Sequence, residues 1–333
     1  MDIKVKTKEF IFEQEKFFPQ CHASTLAILE NDDIIAAWFG GTHEQHPDVA
    51  IWLSRRQKGR WSAPVKIADK DNVPCWNPVL FNSPEGKLFL FYKVGKNPME
   101  WRTMVMTSRD GGFTWSQPKE LVEGDVGGRG PVRCKPIVLS KGTWLAPASI
   151  ETPEKWDCFV DMSKDKGQTW IKSHFVPIDH KKLQGKGIIQ PTLWESQPGK
   201  VHMLIRSTEG FVYRSDSDDY GTTWSQAYPT KLPNNNSGID LIKMDNGVLV
   251  LVYNPVSGNW AERTPLVCSI SKDNGQTWEE KLVLDRNHRP KNREDGEFSY
   301  PAIIAKKDRI YITYTWKRKT IAFYELQVEN IFT

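Results

Sequence analysis

One eight-residue pattern, Ser-x-Asp-x-Gly-x-Thr-Trp, recurs along the chain and limits what it can fold into. It stands at Ser108 to Trp115 (SRDGGFTW), Ser163 to Trp170 (SKDKGQTW), Ser217 to Trp224 (SDDYGTTW) and Ser271 to Trp278 (SKDNGQTW). A degenerate copy, Ser54 to Trp61 (SRRQKGRW), keeps the end residues and loses the Asp. Successive copies start 54, 55, 54 and 54 positions apart. A period of this size means one supersecondary unit, repeated until neighbours cover each other's apolar faces.

Each copy reads as a tight turn between strands, because short apolar or alternating runs flank it on both sides. The Asp accepts hydrogen bonds from its own turn, the Gly allows positive φ and the Trp covers the hairpin. Four equivalent carboxylates cannot be four active sites, so Asp110, Asp165, Asp219 and Asp273 are read as structural. The 333 residues hold about six such units, each with four short strand signals. The last unit, after Tyr300, shows only three, and Ile3 to Phe12 is a strand signal that belongs to no unit. Pairing the two ends would close a ring and remove exposed edges. The expected fold is therefore all-β: a six-bladed β-propeller of four-stranded blades, one domain over 1–333, closed by the N-terminal strand joining the last blade. A linear β-solenoid fits less well, since its rungs are shorter than this period.

Composition narrows the partners. The chain has 45 basic and 41 acidic side chains, a net +4, too little for a nucleic-acid binder. No run of 18 apolar residues exists, so no membrane association is expected. Five cysteines lack metal-ligand spacing, and a reducing, cytoplasmic setting with no metal and no cofactor is expected.

In a propeller the inner strands open at the mouth of the central channel, where polar groups from all blades converge. Four openings place a residue directly before proline: Asn77-Pro78, Lys135-Pro136, Gln190-Pro191 and Tyr300-Pro301. His22 leads the first inner strand, with Arg133 just ahead of Lys135. The loops between second and third strands add Glu44 and Asp48, Trp101, Arg206 and Arg263. Carboxylates, imidazole, phenol, guanidinium groups and Trp rings around one pocket suit the binding and cleavage of an acidic sugar. The predicted catalytic set is His22, Asp48 and Tyr300. The predicted substrate-binding set is Arg206, Arg263, Glu44, Asn77, Lys135, Gln190, Arg133 and Trp101.

The boxes resemble the Asp-box (BNR) repeats of the sialidase (neuraminidase) superfamily. The wider pattern (CHAS, WFGGTHEQHPDVAIWLSRR, PCWNPVLF, NNNSGID, SYPAII, YTWKR) is similar to the bacterial "predicted neuraminidase" subgroup. That resemblance implies three arginines on a substrate carboxylate, a Tyr nucleophile paired with a Glu, and an Asp acid/base. Tyr300 resembles the nucleophile, Asp48 the acid/base, and Arg206 and Arg263 two of the arginines. Two departures stand out: His22 occupies the place of the first arginine, and Gln190 that of the tyrosine's Glu partner. A leading His is also similar to propeller enzymes acting on L-rhamnosyl-α-1,4-glucuronate, hydrolases and lyases alike. The expected function is an exo-acting glycosidase cleaving a terminal bond at an acidic sugar, with an acidic oligosaccharide as partner. The alternatives are an L-rhamnose-α-1,4-D-glucuronate lyase or rhamnosidase using His22, or a glycan-binding propeller without turnover.

Overall fold

The computed structural model describes residues 2–293 and 295–329. Six antiparallel sheets follow one another around a central channel. The inner strands, from blade one to blade six, are Gln20–Ile28, Cys75–Asn82, Ile137–Val138, Ile188–Gln197, Asp240–Lys243 and Phe298–Lys306. Blade six is completed by Asp2–Phe10, which pairs antiparallel with Thr320–Glu329 from Asp2 opposite Glu329 to Phe10 opposite Ala322. The two ends of the chain thus close the ring through backbone hydrogen bonds, which removes the free edge that a linear array would carry. Among the described residues the only helical pieces are two 3-10 turns, Pro98–Glu100 and His180–Lys182.

Middle strands are apolar on both faces because each blade packs between two others. Ile35, Ala37 and Ile51 of blade one meet Leu80, Leu90 and Tyr92 of blade two. On the opposite face, Trp38 and Ala36 meet Ala302, Ile321 and Phe323 of blade six. Such sandwiching explains why Ile34–Gly41 has eight buried residues out of eight, where a sheet wet on one side would alternate.

The four intact boxes form one and the same turn. In the second, Ser163 Oγ donates to Asp165 Oδ1 (2.8 Å) and accepts from Gly167 N (2.8 Å), while Thr169 N donates to Asp165 Oδ1 at 2.9 Å. Hydrogen bonds, led by that of the Thr169 hydroxyl, pull the Asp165 carboxyl down to about 2. Two consecutive residues hold positive φ at the tip: Lys166 and Gly167 at 60° and 82°, Asn274 and Gly275 at 58° and 80°. The degenerate copy is a different turn. There Ser54 Oγ donates to Ser62 O at 2.7 Å, as Ser215 does to Ser225 O at 2.7 Å, so Ser54 matches Ser215 and not the box serine Ser217. The hairpin is two residues shorter, and Arg60–Trp61 pairs directly back onto Ala50–Gln57. The outer strand of blade three is the two-residue Ile171–Lys172.

Candidate functional site

A β-bulge recurs where inner strands open. Register shifts fall between His22 and Thr25, Trp76 and Val79, Ile189 and Thr192, and Ser299 and Ala302. The residue inside each has positive φ: Ala23 55°, Asn77 40°, Gln190 54° and Tyr300 52°. Bulges re-aim side chains, and the X-Pro steps seen in sequence lie inside three of these four. For a residue as large as tyrosine this backbone costs about 1–3 kcal/mol and persists only where its surroundings impose it.

Tyr300 sits at the centre of what the bulges gather. The guanidinium carbons of Arg133, Arg263 and Arg206 lie 5.1, 5.4 and 5.7 Å from its ring centroid, and the His22 ring lies 4.1 Å away. Arg206 Nη1 donates to the phenol oxygen at 2.6 Å and to Gln190 Oε1 at 2.9 Å, while its Nε donates to Asn236 Oδ1 at 2.7 Å. Arg133 donates from Nη2 to Pro301 O, beneath the tyrosine. Above it opens a cavity of about 410 Å³ whose lining includes His22, Glu44, Trp260, Arg263, Tyr300 and Arg318.

Glu297 organises the charged wall. It accepts from Arg263 Nη1 (2.7 Å) and Arg318 Nε (3.0 Å), and Arg318 Nη1 continues to Glu44 at 2.6 Å. Burial alone would raise the Glu297 carboxyl, but Arg263 and Arg318 outweigh it and hold the group well below its ordinary range. His22 is pushed the same way for a different reason. Burial, with the Arg318 charge beside it, keeps the imidazole neutral despite Glu297 at 3.7 Å. Its Nδ1 is engaged by Thr315 Oγ1 at 2.9 Å. Arg293, also on the lining, is pushed below its ordinary value by burial and by the Arg263 charge.

The structure thus brings together His22, Tyr300, Arg206, Arg263, Arg133, Gln190 and Glu44. It places four other candidates differently. Asp48 lies on the exposed loop outside the cavity lining, its oxygens accepting from Thr42 N (3.0 Å), Thr42 Oγ1 (2.6 Å) and His46 (2.7 Å). Lys135 crosses the channel to Asp240 at 3.0 Å and lines the opposite mouth. Trp101 is a core residue, 4% exposed and packed on Trp76 at 5.6 Å. Asn77 is buried in its bulge, outside the cavity lining. Sequence reasoning did not find Glu297, whose only signal is a charge leading straight into an apolar inner strand. Glu151 is a second carboxyl outside the predicted sets, raised by burial that Arg206 and Lys186 only partly offset.

Residues 32–312 match the family described as BNR repeat-like domain. The chain belongs to the BNR repeat-like domain family. Solved structures show how far this BNR repeat-like chain shares its fold. A Hadza microbial sialidase superposes with a TM-score of 0.79 at 16% identity, covering 98% of this chain and 69% of that one. A protein of unknown function from Dyadobacter fermentans gives 0.78 at 16% identity, with 98% and 99% covered. The NanB sialidase from Streptococcus pneumoniae gives 0.73 at 14% identity, with 98% and 71% covered. At these identities the likeness is one of fold: the protein is a sialidase-like BNR propeller.

Proposed function

We propose that this propeller is an exo-acting, carbohydrate-cleaving enzyme that takes a terminal acidic sugar into the cavity above Tyr300. The observation that carries the reading is the placement of one phenol, on a strained bulge, among three guanidinium groups and a neutral imidazole. Arginine forks match carboxylate geometry, so Arg263, with Arg293 and Arg318 beside it on the lining, would anchor the acid group. That anchoring sets the anomeric carbon against the Tyr300 oxygen. Arg206, already donating to that oxygen, favours its phenolate, the phenol proton passing to water; the phenolate oxygen then bonds to the anomeric carbon as the glycosidic bond breaks, and a later water displaces the sugar from Tyr300. The leaving oxygen needs a proton. Glu151, a carboxyl that burial raises and that feels the charges of Arg206 and Glu44 from just outside the cavity lining, is suited to give it. Asp48, held below its ordinary range by Thr42 and His46 against the opposing effect of burial, would have to leave those bonds to act.

A lyase on a rhamnosyl-glucuronate is the second reading, supported by the Arg206 guanidinium that engages the Tyr300 hydroxyl and by the neutral state of His22. There His22 would take the C5 proton next to the uronate carboxylate while the guanidinium groups neutralise that carboxylate; the bond from C4 to the linking oxygen breaks, that oxygen leaves protonated, and the uronate is left unsaturated between C4 and C5. Incubation with sialosides and with rhamnosyl-glucuronate oligosaccharides separates the two. Release of free acidic sugar supports the hydrolase, and growth of absorbance in the unsaturated-uronate band supports the lyase. No turnover of either class, with wild type equal to His22→Ala and Tyr300→Phe, sinks the enzyme and leaves a glycan-binding propeller.

A further inference from the structure

The strand that presents Gln190 to the cavity carries a second constellation at its other end. Ser196 lies six positions further on, roughly 20 Å away at about 3.3 Å per residue. It sits in a register shift between Glu195 and Gln197, where the strand Ile188–Gln197 turns back into Lys200–Ser207. Its hydroxyl is 2.7 Å from His202 Nε2, and His202 Nδ1 is 2.5 Å from Asp216 Oδ1. The order is hydroxyl, imidazole, carboxylate, with the two ring nitrogens facing the two partners that a serine nucleophile requires.

The surroundings fix each member. Asn274 Nδ2 lies 3.2 Å from His202 Nε2 and can only donate, which calls for the lone pair there. At Nδ1 the Asp216 oxygen at 2.5 Å calls for the proton, against the more distant Arg214 Nη2 at 3.2 Å, and that arrangement is the tautomer of a general base. Burial raises Asp216, yet hydrogen bonds from His202 and Arg214 outweigh it and keep the carboxyl below its ordinary range. Arg214 Nε (2.9 Å) and the Tyr228 hydroxyl (3.0 Å) hold its two oxygens. The His202 ring stacks on Trp194 at 4.9 Å, which sets its plane. Ser196 and Asp216 are half-buried, so solvent reaches the hydroxyl end.

We propose that Ser196, His202 and Asp216 form a second site, independent of the acidic-sugar cavity, that cleaves small carboxylic esters by acyl transfer. Ser196 Oγ bonds to the ester carbonyl carbon as its proton passes to His202 Nε2. The alcohol oxygen leaves with that proton as its bond to the carbonyl carbon breaks, giving acyl-Ser196. Water then repeats the sequence, releasing the carboxylic acid and restoring the hydroxyl.

The test labels the intact protein with a fluorophosphonate and maps the adduct by peptide mass spectrometry, alongside hydrolysis of p-nitrophenyl acetate. The expected result is one adduct, on Ser196, with hydrolysis falling at least tenfold in Ser196→Ala and in Asp216→Asn. Labelling of the unmodified protein needs no variant to fold, and thermal melts check those that are made. Absence of the adduct, an adduct elsewhere, or hydrolysis equal in wild type and a folded Ser196→Ala overturns the proposal and leaves the cluster as the clasp between blades four and five.

Discussion

Arg206 reaches Tyr300 with the nitrogen that also holds Gln190: Nη1 is 2.6 Å from the phenol oxygen and 2.9 Å from Gln190 Oε1. A cation therefore engages the tyrosine directly, and the place where the sialidase resemblance puts a carboxylate holds the neutral amide of Gln190. Arg206→Lys keeps the charge but loses the fork that serves Asn236, Gln190 and Tyr300 together. Turnover of an acidic glycan is expected to drop at least 100-fold, about 2.7 kcal/mol of barrier. Steady-state kinetics beside a denaturant melt check this, and unchanged kinetics in the folded variant contradict it.

Glu297 offsets two buried guanidinium groups, Arg263 and Arg318, which are 4% and 13% exposed. Glu297→Gln leaves both facing a neutral amide, and breaking a buried pair costs about 3 kcal/mol or more. Urea unfolding should show that loss as a lower midpoint with unchanged slope. An unaltered midpoint would mean that Glu44 alone suffices for Arg318.

Acid should loosen the fold in two stages. His22 and Glu297 both have native values below their ordinary 6.5 and 4.5. A group depressed in the native state stabilises the fold above its unfolded value and loses that contribution as pH falls, because unfolding then binds a proton. Stability should begin to decline below about pH 6.5 through His22 and steepen below about pH 4.5 through Glu297. Urea midpoints across pH check the sign, and His22→Gln should flatten the first stage.

The turn glycines should be intolerant of a side chain. At Gly167, φ is 82° and an added Cβ would lie 2.7 Å from the buried ring of Trp144. Gly167→Ala is expected to cost about 1–3 kcal/mol, lowering the melting temperature by several degrees while leaving acidic-glycan turnover unchanged. Calorimetry with parallel kinetics would show whether the damage stays at the blade's far end.

Closure of the ring is a separate prediction. Deleting residues 1–10 removes the strand paired with Thr320–Glu329 and exposes its edge. The truncated protein should aggregate or melt well below the full chain, and adding the deleted segment as a peptide should restore part of the loss. Equal melting of both proteins would contradict closure by this strand.

Much of the architecture was legible because a repeat fixes a register. Once Trp115, Trp170, Trp224 and Trp278 share one role, blade number and the orphan strand at the N terminus follow from counting. Spacing alone was less secure where a turn had changed length, as at Ser54, whose hydroxyl does the work of Ser215. The site was legible in part. X-Pro steps marked the bulges that carry Asn77, Gln190 and Tyr300, and near the step at Lys135-Pro136, where both Arg133 and Lys135 were candidates, it is Arg133 that reaches the tyrosine. Pairing between blades decides such cases: Asp240 draws Lys135 across the channel, and the neighbouring Trp76 takes Trp101 into the core. Neither partner is adjacent in sequence, so no local pattern announces them.

The central claim, that the cavity above Tyr300 reads a sugar carboxylate through its guanidinium groups, is tested most directly by calorimetric titration. An acidic monosaccharide and its carboxamide would each be titrated into wild type and Arg263→Met. The acid should bind at least tenfold more tightly than the amide, a difference of about 1.4 kcal/mol that Arg263→Met reduces or abolishes. Equal affinity for acid and amide, or an acid preference untouched by the substitution, would contradict the account.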